Sequence, residues 1–147
     1  MDLRSLSLGH RIVIGCGAAL FIDLLLTWQG VSFLGTTVGV SGWHGLNGLI
    51  LGLLTTALVA WEVLLLLAER AADLRKRLPL PVPEELVSAA LAGGVLVFGI
   101  LKFITANELR RWPSWVGVIL ALAIGYGGWL IRSESKGPAP ATAATVE

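Results

Sequence analysis

GLNGLILGLLTTALVAWEVLLLLA, residues 45–68, decides the fold. In these 24 residues there is one charge, Glu62. A helix rises 1.5 Å per residue, so about 20 apolar residues cross a ~30 Å hydrocarbon core. Three further apolar runs, near residues 12–28, 86–105 and 114–131, repeat the pattern. The chain therefore reads as an all-α membrane protein. Four transmembrane helices form an up-and-down bundle, a single domain over residues 1–132. Composition agrees: 55% of the residues are hydrophobic and 14% charged, against about 25% charged in a typical soluble domain. A lone cysteine, Cys16, excludes an internal disulfide and a cysteine metal cluster. Arg4 and Arg11 resemble the basic start of a signal peptide, but Asp23 interrupts the apolar run and no small-residue cleavage site follows Trp28. The first run is expected to be a retained helix.

Charge distribution orients the bundle. Eight of the eleven basic residues fall before the first run, between the second and third, or after the fourth. The connection from Gln29 to His44 has none, and the other carries Arg110 and Arg111, with Lys102 near its helix end. The positive-inside rule then places both termini in the cytoplasm and the protein in the cell inner (plasma) membrane. Trp28, Trp43, Trp112 and Trp115 fall together at the outer interface, where indoles form a belt.

The connections have distinct characters. Residues 29–43 are uncharged and rich in Gly, Ser and Thr, and Thr37 to Val40 suit a short extended piece or a loop dipping toward the headgroups. Residues 69–77 read as a cytoplasmic extension of the second helix. Pro79, Pro81 and Pro83 then forbid helix, and Glu84 and Glu85 open the third helix at its positive dipole end. Residues 133–147 are poor in large apolar side chains and read as a disordered cytoplasmic tail.

In lipid, helices associate through close packing of small residues. Gly117, Ala121 and Gly125 recur every four residues on the fourth helix, and Gly48 and Gly52 do so on the second, giving candidate packing seams. On the first helix Gly15, Ala19, Asp23 and Thr27 form a small, polar stripe expected to face inward, opposite Leu20, Phe21, Leu24 and Leu25.

Three ionisable residues fall within the runs: Asp23, Glu62 and Lys102. A mid-membrane charge costs about 2.5–3.5 kcal/mol on insertion scales, so each needs an account. Asp23 and Lys102 share a depth. Two readings follow: an ion pair between them, or a Lys102 side chain snorkelling to the outer interface. Glu62 lies on the other side, on the order of 12 Å away along the normal of a ~30 Å core, too far to form a carboxylate pair with Asp23. A hydrogen bond to a neighbouring hydroxyl or carbonyl is its plain reading. His10 and His44 belong to opposite faces and cannot share a metal. No glycine-rich phosphate loop and no nucleophile with an adjacent base occurs, so neither cofactor nor catalytic residue is expected.

Phe21-Ile22-Asp23-Leu24-Leu25-Leu26-Thr27-Trp28, followed by Ser41-Gly42-Trp43, resembles a group of small actinobacterial four-helix membrane proteins. In that group an acidic or small residue precedes a Leu-rich stretch and an aromatic residue, and a Ser/Gly-Trp turn follows an uncharged outer loop. The resemblance implies the architecture over about the first 65 residues and supplies no catalytic residue. Thr27 stands where that group commonly has proline.

The expected function is that of a non-enzymatic accessory or scaffold subunit packing against another membrane component. Its partners are the lipid bilayer and a membrane protein or a second copy, with no nucleic acid. The alternative is a small oligomeric transporter or channel in which Asp23 and Glu62 form a proton or cation path.

Overall fold

The computed structural model describes residues 7–70, 83–105 and 110–135. Its helices are α1 (Leu8–Leu25), α2 (Gly45–Arg70), α3 (Glu84–Thr105) and α4 (Trp112–Ser135). All four include a segment long and apolar enough to cross a bilayer. Between α1 and α2 the chain forms an antiparallel hairpin of β1 (Thr27–Phe33) and β2 (Thr36–Ser41). The expected turn at Pro79 and Pro81, the basic cluster Arg75 to Arg77 and the tail beyond Ser135 lie outside the described residues.

Each helix packs chiefly on two neighbours, in the ring α1–α2–α3–α4–α1. Successive helices run antiparallel. Gly9 at the start of α1 meets Gly127 and Ile131 late in α4, whereas Asp23 near the end of α1 meets Gly117 early in α4. The start of α1 and the end of α4 thus share one end of the bundle, and the hairpin occupies the other. Leu20, Leu24, Leu51, Leu58, Val95 and Ile124 fill the interior and are fully buried.

Small residues set how closely the helices approach. On the α3–α4 seam a Cβ added at Gly99 would lie 2.7 Å from that of Ala121, and one at Gly128 would lie 2.6 Å from that of Ala92. Gly125 receives Leu96. The expected seam of Gly117, Ala121 and Gly125 thus faces two things: Trp28 at Gly117, and α3 at the other two. Gly48 and Gly52 do not form a helix–helix seam. Gly48 lies under the backbone of Gly42 and Trp43, and Gly52 seats the Trp43 ring.

The face of α1 differs from expectation. Gly9, Val13, Gly17, Leu20, Asp23 and Leu24 are buried, while Gly15 and Ala19 face outward. Of the residues expected outward, only Phe21 and Leu25 are exposed. The phase is set by the approach of α4. A Cβ at Gly9 would come within 2.9 Å of the Gly127 carbonyl oxygen, so only glycine permits this contact. Nothing lies within 4 Å of the same position at Gly15.

The hairpin turns through Leu34 and Gly35, whose φ values of 49° and 80° supply the two left-handed residues of a tight two-residue loop. Gly35 takes this conformation freely, whereas Leu34 takes it against its steric preference. The β register steps from Thr27↔Ser41 to Gln29↔Val40, leaving Trp28 as the extra residue of a bulge. Bulges re-aim side chains, and here the indole turns down into the bundle.

Candidate functional site

The three ionisable residues within the apolar runs are all buried, and each has a different partner. Asp23 lies in the last turn of α1, where backbone carbonyls lack helical partners. Its carbonyl accepts the Leu26 N–H at 3.0 Å and the Trp28 indole N–H at 3.1 Å. Its Oδ2 accepts the same indole N–H at 3.0 Å. Trp28 is fully buried and fits over Gly117, where any Cβ would overlap the ring. The Trp28 carbonyl then accepts the Arg111 N–H at 3.0 Å, just before α4 begins. Asp23 and Trp28 therefore lock together the end of α1, the hairpin and the start of α4.

Lys102 forms no ion pair with Asp23. Its ammonium donates to the His44 carbonyl, one residue before α2. The side chain does climb toward the hairpin end, but it stops on a backbone acceptor and remains buried. Asn47 strengthens the same junction by donating to Thr105 at 3.3 Å. Lys102→Met should cost about 1–3 kcal/mol, because the His44 carbonyl loses a charged donor. Detergent-unfolding curves of the two proteins check this, and equal midpoints would remove Lys102 from the junction.

Glu62, 1% exposed, shares a hydrogen bond of 2.6 Å between its Oε2 and Nδ1 of His10, whose side chain is a quarter exposed. The second carboxyl oxygen, Oε1, is buried without a partner. The partner of Glu62 is thus an imidazole from α1, in place of the expected hydroxyl or carbonyl. Sequence reasoning missed His10 because the first run was started at Ile12. The polar end of α1, from Ser7 to Arg11, gives no hydropathy signal for two further helical residues ahead of His10. A neighbouring α2–α3 link is the Trp61 indole, which donates to Ser88 at 3.1 Å.

The tryptophans divide. Trp112 and Trp115 are exposed on the first turn of α4 and Trp129 near its other end, as belt residues would be. Trp28 is interior, and Trp43 is half-buried, edge-on to Phe21 with ring centroids 6.0 Å apart.

Between Asp23 and Glu62 the interior is apolar except for Thr55, whose hydroxyl donates to the Leu51 carbonyl of its own helix at 2.8 Å. Among the described residues no three of His, Cys, Asp and Glu come together. The arrangement offers local hydrogen-bonded anchors at both ends of an apolar interior. No known protein family, characterised protein or solved structure matches the chain.

Proposed function

We propose that the protein is a non-enzymatic accessory or scaffold subunit that packs against another membrane component. We place it in the plasma membrane with both termini cytoplasmic, on the strength of the basic-residue asymmetry. One observation carries the functional reading. Between α1 and α2 the outward surface holds an apolar groove of about 440 Å³, lined by Ala18, Phe21, Ile22, Val59, Ala60 and Val63 among others. Of the neighbouring helix pairs, α1 and α2 make the least extensive contact. Ala18 and Ala60 present only methyl groups there, so a large side chain of a second helix can enter. Small-residue surfaces of this kind support helix association in lipid. The apolar interior between Asp23 and Glu62, and the commitment of Asp23 to Trp28, favour this reading over a polar route through the bundle.

Purification in mild detergent followed by intact-complex mass spectrometry tests it. The expected result is a stoichiometric second membrane protein on the parent chain, lost from Ala18→Phe/Ala60→Phe with helical content unchanged. A parent chain that purifies alone, or a partner that survives the groove-filling substitutions, would sink the reading.

A further inference from the structure

We infer that the cleft where α1, β1 and α4 meet at the hairpin end binds an anionic phospholipid, with the headgroup phosphate at Arg111. The inference rests on reading the helices as membrane spans and is independent of the partner groove. The cleft measures about 500 Å³ and is lined by Leu26, Thr27, Arg111, Trp112 and Pro113. That is within the ~300–1,000 Å³ range of small-ligand pockets.

Arg111 is held by its backbone on both sides. Its N–H donates to the Trp28 carbonyl at 3.0 Å, and its own carbonyl accepts from the Ser114 N–H at 3.1 Å and hydroxyl at 2.7 Å. Among the described residues no side chain pairs with its guanidinium. The other cations at this end are engaged: Lys102 with the His44 carbonyl, and Arg110 over the Phe103 ring at 4.3 Å. A guanidinium presents a planar fork that matches a phosphate bidentately.

Two features select a lipid over a soluble phosphate. Trp112, an exposed indole of the kind that sits at headgroup depth, itself lines the cleft. Below it, Val116 and Ile119 continue the same exposed face of α4, at the spacing of helical turns, as a track for an acyl chain. A soluble phosphate would gain nothing from that strip.

The test uses the full chain, delipidated in mild detergent and titrated with phosphatidylglycerol under native mass spectrometry. One molecule per chain is expected to bind saturably. Arg111→Gln should weaken it roughly tenfold or more, as loss of a charge-assisted contact does, and Arg111→Lys should weaken it less. Because the structural bonds of Arg111 run through its backbone, both variants should keep their helical content. Arg111→Gln binding as tightly as the parent would overturn the site, as would equally tight binding of uncharged diacylglycerol. Inorganic phosphate binding as tightly as the lipid would make the occupant a soluble anion and overturn the lipid assignment. Alkaline extraction of membranes tests the span reading separately. A chain released to the supernatant sinks that reading, whereas a pelleted chain without lipid selectivity sinks only the site.

Discussion

Trp28→Ala is expected to destabilise the bundle by about 3–5 kcal/mol, the range for truncating a buried aromatic. Three losses coincide. The substitution empties the space over Gly117, where the ring is fully enclosed. It strips the Asp23 carboxyl of its only side-chain donor among the described residues. It also loosens the bulge that delivers the Trp28 carbonyl to Arg111. Trp28→Phe keeps one ring but loses both the indole N–H and the outer ring atoms that pack over Gly117, so its cost should fall between zero and that of Trp28→Ala. Gly117→Val attacks the same contact from the other side, since its side chain would occupy the ring position. Unfolding by a rising mole fraction of denaturing detergent, followed by circular dichroism, ranks the three. A Trp28→Ala midpoint equal to that of Trp28→Phe would show that the ring does not hold the hairpin end together.

The His10–Glu62 pair should behave non-additively. His10→Leu leaves a buried carboxyl with neither oxygen bonded, at a cost of about 1–3 kcal/mol. Glu62→Gln should cost less, because an amide can still bond the imidazole. The double variant His10→Leu/Glu62→Leu should recover most of the loss, since it removes the buried carboxyl together with the imidazole that bonds it. The double-mutant cycle of His10→Leu, Glu62→Leu and their combination measures this directly. Simple addition of the two single-variant losses would show that the 2.6 Å contact couples nothing.

The four long apolar helices were legible because length and hydropathy survive any choice of packing face. The face of α1 was not legible, and the reason is physical. In a soluble helix polar residues mark the outside, but here outward Phe21 and Leu25 are as apolar as inward Leu20 and Leu24. Small residues mislead as well: Gly15 and Gly9 look alike in sequence, yet only Gly9 admits a neighbouring helix. The burial of Asp23 was correctly expected, for cost alone demands it. Its partner was not, because Trp28 was read as helical and interfacial when it belongs to a bulge. The hairpin carries no Asn-Gly or Asp-Gly turn signature; it turns on Leu34-Gly35, so only Thr37 to Val40 suggested extended chain. The cleft at Arg111 depends on residues far apart in sequence and has no local signal.

The extensive α1–α4 packing bears on how the chain is made. α1 leaves the ribosome before α4, the helix on which it packs most extensively. At roughly 5–20 residues per second, the intervening hundred or so residues take on the order of 5–20 s to synthesise. Until α4 arrives, α1 has α2 as the main neighbour on which it can pack. Its carboxylate is provided for, because the donor to Asp23 lies five residues on in the same segment and emerges with it. The bond between His10 and Glu62 can likewise form as soon as α2 is complete. Each of the two carboxyl groups of the first half thus has a hydrogen-bond partner within a two-helix intermediate, and closure by α4 adds largely apolar, glycine-guided packing together with the bond from Arg111 N–H to the Trp28 carbonyl.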